Sequence, residues 1–272
     1  MKHAFLFFLF FFFSVFAMAI QPTLPIGAKA NAMGGVSLLP ADFWSVFNNP
    51  AGLASQHSFA GGLAFDSYFA IDKNLSLKSA AILLPTNSGT FGLNLNYFGF
   101  SAYHEQKIGL AFGKQLGEKI SVGIQLDYLS VSIGNDLGSA SAFTFELAMI
   151  AQLTESLSLA SYIYNPLAVK IGKINPEITP AIFRLAAAYK IDDALLLVSE
   201  YEQGLNDRGM LKIGMEYQLI EQIFVRGGLS TNPNLFSFGF GLNLKGMAVD
   251  FGTTYHQTLG FSPKVGMYYR IN

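Results

Sequence analysis

Residues 119–132 read KISVGIQLDYLSVS, and this stretch decides the fold. Ile120, Val122, Ile124, Leu126 and Tyr128 take one face of an extended chain, and Ser121, Gly123, Gln125 and Asp127 take the other. Such alternation follows from the pleat of a strand, which sends successive side chains to opposite sides. Residues 235–246, LFSFGFGLNLKG, repeat the pattern: Phe236, Phe238, Phe240, Leu242 and Leu244 alternate with Ser237, Gly239, Gly241 and Asn243. A soluble sandwich also alternates, but there the apolar face is buried in a core. What surrounds the apolar face here is therefore the first question.

Composition answers it. The 272 residues are 51% hydrophobic and 13% charged, about half the charged share of an ordinary soluble domain. Beyond the N-terminus no apolar run approaches the ~20 residues of a spanning helix. The remaining way to satisfy every backbone N–H and C=O in hydrocarbon is a closed β-barrel. Residues 1–19, MKHAFLFFLFFFFSVFAMA, have the form of a signal peptide: a basic Lys2, an apolar run from Ala4 to Phe16, and Ala17-Met18-Ala19 as the cleavage triplet. The apolar run is too short for a retained membrane anchor, so the mature chain is expected to begin near Ile20. The expected location is the outer membrane of a Gram-negative bacterium, with outer-membrane lipid as the surrounding partner. A net charge of −1 argues against a nucleic-acid partner, which calls for a basic stripe.

The alternation predicts an all-β, antiparallel transmembrane barrel over residues 58–272. Its fourteen strands fall near 58–70, 74–84, 89–98, 105–116, 118–132, 140–153, 156–164, 180–191, 193–203, 209–219, 221–231, 234–244, 246–256 and 260–271. An even count is the rule for bacterial single-chain barrels. The even-numbered connections are tight (PTNSG, GEK, TES, DD, IEQ, KG) and the odd-numbered ones mostly longer (AIDKN, GFSAYH, IGNDLGSA, QGLNDRG, STNPN, HQTLGFS). Short turns belong to the periplasmic side, which puts both termini there. The longest connection, 165–180, with Pro166, Pro176 and Pro180, suits either an outer cap or a stiff surface loop.

With the faces assigned, the mid-strand charges fall opposite the apolar band. They are Lys78, Lys107, Asp127, Glu146, Arg184, Glu200, Glu202, Lys212, Glu216, Arg226 and Asp250, joined by Asn94, Asn96, Gln125 and Asn243. Lys or Arg on the lipid side near the midplane costs ~2–4 kcal/mol, so these residues are expected to line the lumen. Mixed signs suggest a paired network, serving either to hold barrel and plug together or to give a passage a polar lining. Tyr97, Tyr128, Tyr189, Tyr217, Tyr255 and Tyr269 fall on the outer face near strand ends, where interfacial girdles sit.

Residues 20–57 precede the first strand and are read as an N-terminal luminal plug. Within PIGAKANAMGGVSLLPADFWSVFNNPAGLAS (25–55), Gly27, Gly34 and Gly35 permit tight turns and Ala28, Ala30 and Ala32 permit close packing. Asp42 is placed to cap a helical turn at 43–47. Pro50 stiffens its turn, with Trp44, Phe47 and Leu53 available to pack on the inner wall. The segments GAKANAMGG (27–35) and NPAGLA (49–54), ahead of about fourteen strands and an ending LGFSPKVGMYYRIN, resemble the FadL-like outer-membrane superfamily, and within it the PorV/PorQ-type barrels. The resemblance implies a luminal hatch carrying the Asn-Pro-Ala motif, here Asn49, Pro50 and Ala51 followed by Gly52, and lateral passage of small hydrophobic molecules. For PorV-type relatives it implies partnership with type IX secretion machinery. The partner expected beyond lipid is thus a hydrophobic small molecule or a secretion-machinery protein. No catalytic or metal site and no cofactor is expected. The chain has no cysteine, and its histidines outside the leader are His57, His104 and His256; a pairing of His104 or His256 with Ser262 has no motif behind it.

Overall fold

The computed structural model describes residues 24–68, 76–134, 138–172, 177–205 and 207–271. The expected leader, 1–19, and the first residues of the N-terminal segment lie outside these. Period-two alternation produces β1 (Phe59–Ser67), β2 (Ser76–Thr86), β3 (Gly89–Phe100), β4 (Tyr103–Leu116), β5 (Ile120–Ile133), β6 (Ser139–Gln152) and β7 (Leu157–Tyr164). After a two-residue pair, β8 (Lys170–Ile171) and β9 (Glu177–Ile178), it continues as β10 (Ile182–Lys190), β11 (Leu195–Gly204), β12 (Met210–Ile220), β13 (Ile223–Ser230), β14 (Leu235–Leu244), β15 (Met247–His256) and β16 (Gly260–Ile271). Fourteen of these close into one antiparallel barrel, with β7 bonded directly to β10 and β1 to β16. The predicted strand count and order hold.

Two connections are tighter than expected; HQTLGFS is reduced to Gln257, Thr258 and Leu259 between the paired His256 and Gly260. GFSAYH was expected to be a longer loop, but pairing continues to Phe100↔Tyr103 and leaves only Ser101 and Ala102 between β3 and β4. The ladder carries on because the residues past the apolar band still offer backbone donors and acceptors to one another.

The two faces separate as the pattern demands. Leu126 is 58% exposed and Phe143 74%, whereas Gln125 and Glu146 are fully buried. Facing hydrocarbon, each large apolar side chain gains roughly 1.5–3 kcal/mol relative to water. The six tyrosines form two groups on the outer face. Tyr97, Tyr128 and Tyr255 lie toward the long-connection ends of their strands, and Tyr189, Tyr217 and Tyr269 toward the tight-turn ends.

Residues 24–58 fold as α1 (Ala28–Ala32), α2 (Ser45–Asn48) and a 3-10 turn (Pro50–Ser55). Helices this short are not stable alone, so the barrel must hold them. Phe43, Trp44, Val46, Phe47 and Leu53 pack with Ala60, Ala64, Ala81, Leu83, Ala111 and Tyr268 of the inner wall. Met33, Val36, Leu38 and Ala51 pack with Ala148, Ala160, Tyr162, Ala186 and Val198. Small inward residues leave room for this material. The 3-10 turn touches β3 to β6 and α1 touches β13 to β16, so the segment reaches opposite arcs of the ring.

The described residues of the 165–181 connection turn inward at the other mouth. Ile171 is buried with Leu129 and Val131, two inward residues of β5. Asn165, fully buried, donates to the Thr179 carbonyl at 2.9 Å and accepts from Thr144 Oγ1 at 2.7 Å and from Val169 N at 3.1 Å. Of the two sequence readings, this geometry fits a cap. Pro176 lies outside the described residues.

Candidate functional site

The NNPAG turn is built by its two asparagines. Asn48 clamps Ile26, accepting from its N–H at 3.0 Å and donating to its carbonyl at 2.8 Å. Asn49 donates to the Leu38 carbonyl at 2.8 Å and caps the 3-10 turn by accepting from Ala51 N at 3.1 Å. Pro50 enters at the first position of that turn, where a missing N–H does no harm. Gly52 lets the turn pass Ser45, whose Oγ would lie 2.3 Å from an added Cβ.

The wall is shaped to receive this turn. Gly113 of β4 and Gly123 of β5 are cross-strand partners. A Cβ on Gly123 would meet Pro50 C at 2.1 Å and Ala51 N at 2.2 Å, and one on Gly113 would meet Pro50 O at 2.4 Å. Gly214 and Gly228, also partners, receive the backbone of Met33 in the same way. That these wall glycines act in facing pairs is visible only in the register.

Of the fifteen residues expected to line the lumen, thirteen lie on the inward face of the wall, and most fall into three clusters. On β3 to β6, Lys107 pairs with Glu146 and lies 3.5 Å from Asp127. Gln125 donates to Asp127 at 2.8 Å and to Glu146 at 3.1 Å, and Asn94 donates both to Gln125 and to the Val46 carbonyl of the N-terminal segment. Asn96 lies half-buried nearby. On β10 to β12, Arg184 pairs with Glu202 at 2.7 Å, and Lys212 bridges Glu200 at 2.9 Å and Glu202 at 2.7 Å. Glu200 also accepts from Ser37 N at 2.8 Å and Leu38 N at 2.9 Å. On β12 to β15, Arg226 joins Glu216 and Asp250, Lys29 lies 3.3 Å from both Glu216 and Asp42, and Trp44 Nε1 donates to Asp250 at 3.4 Å. Burial works to lower the pKa of Lys29, but Glu216 and Asp42 outweigh it and hold the ammonium above its usual range. Burial pushes the Asp42 carboxyl up, against the pull of Lys29.

Each cluster thus ties wall strands to one another and to the N-terminal segment. Two residues escaped the sequence reading. Lys264 lies 3.4 Å from Asp66 and donates to Asn31 Oδ1 at 2.6 Å, a fourth wall-to-segment tie. The parity of β1, with Ala60, Ala64 and Asp66 on one face, was the signal for it. Two further expectations are corrected. Lys78 points outward rather than into the lumen, 5.6 Å above the Tyr97 ring. Asn243 has inward parity but sits exposed at the rim.

Neither His104 nor His256 is placed opposite Ser262. His256 Nδ1 accepts from Thr258 N at 3.1 Å and Leu259 N at 3.2 Å in the last hairpin turn, and His104 stacks on Tyr97 on the outer face, away from inward-facing Ser262.

No protein-family model matches the chain, and no curated protein matches it. Solved structures do. The toluene transporter TbuX of Ralstonia pickettii aligns over 92% of this chain and 100% of its own, with TM-score 0.68 and 13% identity. The toluene transporter TodX of Pseudomonas putida aligns over 90% and 97%, with TM-score 0.66 and 12% identity. A FadL homologue of Pseudomonas aeruginosa aligns over 90% and 96%, with TM-score 0.63 and 12% identity. At such identities the likeness is one of fold, and the chain has the fourteen-stranded barrel fold of these FadL-like proteins.

Proposed function

We propose that the protein is exported by its leader 1–19 into the outer membrane of a Gram-negative bacterium, where it passes small hydrophobic molecules through a barrel stoppered by residues 20–57. The observation that carries this reading is the N-terminal segment itself, lodged against the inner wall by hydrogen bonds and ion pairs and covalently joined to the barrel only at β1. A body held this way can shift without breaking a strand pairing. In this reading Asn49, Pro50, Ala51 and Gly52 form the turn that seats the plug, and the luminal charges keep it seated. Likeness in fold to toluene transporters supports hydrophobic molecules as the cargo class.

The test is uptake of a hydrophobic fluorescent probe by cells carrying the protein in their outer membrane, compared with cells lacking it. Wild-type uptake at the background level would sink the proposal. Pro50→Ala is expected to change uptake severalfold while shifting thermal stability little; a stopper alone would show the reverse.

A second reading, a PorV-like adaptor barrel serving type IX secretion or other envelope proteins, is favoured by the two-residue β3–β4 connection, which leaves little loop there to capture cargo. Crosslinking in the native membrane should then yield a defined protein partner, and a clean failure to do so argues against it.

A further inference from the structure

The outer wall carries a feature that neither plug nor cargo accounts for. Lys78, Tyr97, Gln106 and Ser130 are cross-strand neighbours in one outward row over β2 to β5. The next row toward the middle of the wall is Ala80, Leu95, Ile108 and Tyr128. Polarity changes between adjacent rows, as at the edge of a hydrocarbon layer. Beneath the polar row the small Ala80 opens a groove of about 640 Å³, walled by Leu63, Phe65, Leu95, Ile108 and Met267. A second depression, over Gly61 and Ile82, continues it toward the opposite rim.

Lys78 is exposed on this lipid-facing side, and among the described residues no carboxylate pairs with it. A lysine on the lipid face is tolerated only near the interface, where its natural counter-charge is a lipid phosphate. Gln106 stands beside it in the same row and lines the groove, and His104 Nδ1, on a ring stacked on Tyr97 at 5.4 Å between centroids, is buried with no hydrogen-bond partner among the described residues. We infer that this wall binds one phosphate-bearing membrane lipid, with its phosphate on Lys78 and Gln106 and an acyl chain in the groove over Ala80. The occupant is recognised by charge above and by shape below.

Native mass spectrometry of the full-length, detergent-purified protein titrated with dioctanoyl phosphatidylglycerol tests this. Lys78→Gln is expected to weaken binding on the order of tenfold, since it removes a charge-assisted contact, and Lys78→Arg to retain it. Ala80→Phe, which fills the groove, should also weaken binding, and dioctanoylglycerol, lacking phosphate, should bind no better than the phospholipid binds Lys78→Gln. Heat-modifiable mobility on SDS gels confirms that each variant is folded. Equal binding by Lys78→Gln and wild type, or indifference to Ala80→Phe, would overturn the proposal. So would displacement by inorganic phosphate alone, or a barrel dimer in place of a lipid adduct.

Discussion

Replacing Glu200 with alanine should release the N-terminal segment and lower the thermal stability of the folded protein more than any other single luminal change. Its carboxylate is fully buried and accepts from Ser37 N, Leu38 N and Lys212 Nζ, all within 2.9 Å. Removing one member of a buried ionic set costs roughly 3–5 kcal/mol, because the partner charge stays behind without compensation. Two buried backbone N–H groups also lose their acceptor, at ~1–3 kcal/mol each before relaxation. These terms overlap and do not add, but either alone exceeds the effect of a surface change. The expected readouts are a lower temperature for loss of the compact band on SDS gels and new tryptic cleavage at Lys29. Replacing Lys190, whose partner Asp193 is fully exposed in a tight turn, should move neither. A Glu200→Ala protein that melts like wild type with residues 24–58 still protected would refute the anchoring role.

Gly123→Ala should separate the barrel from its contents. The new methyl would lie 2.1 and 2.2 Å from backbone atoms of Pro50 and Ala51, which have no rotamer to move out of the way. For the strand itself the change is mild, since alanine has less backbone entropy to lose than glycine. The barrel should therefore fold and stay heat-modifiable, while residues 24–58 become open to protease and the outer membrane leaks small polar dyes. Gly227→Ala, on the outer face with only Ser237 O near at 3.9 Å, is the matched control and should leave permeability unchanged. If Gly123→Ala kept the segment protected and the membrane tight, the facing-glycine slot would not be what seats the turn.

The strands and the inward set were legible in the sequence because parity is a two-valued question. Where one face is Phe, Leu, Ile and Val and the other Gln, Asp and Gly, as in β5, a single strand answers it. β2 defeated that logic. In SLKSAAILLPT both faces carry apolar residues, Ala81 and Leu83 inward and Ile82 and Leu84 outward. The general rule that charges avoid lipid then sent Lys78 the wrong way. Asp66 and Lys264 were missed although both share the inward parity of their strands. The partners of the N-terminal segment were beyond reach for another reason. That Ser37 would meet Glu200, or Pro50 the pair Gly113 and Gly123, depends on how the closed ring places strands against a segment far from them in the chain, which no local pattern encodes.

The seam between the first and last strands has a consequence for how the molecule is made. Phe59 pairs with Ile271, so the ring cannot shut until the C-terminal hairpin exists, and that pairing carries the largest loop-closure penalty in the barrel. Residues 24–58, synthesised earlier and joined to β1, are in position to lie within the circumference as it shuts. The segment can then act as a mandrel: its contacts with β3 to β6 on one arc and β13 to β16 on the other hold the two ends of an open sheet at the curvature of the finished ring. The segment lodged in the completed barrel is, during assembly, the gauge that sets its bore.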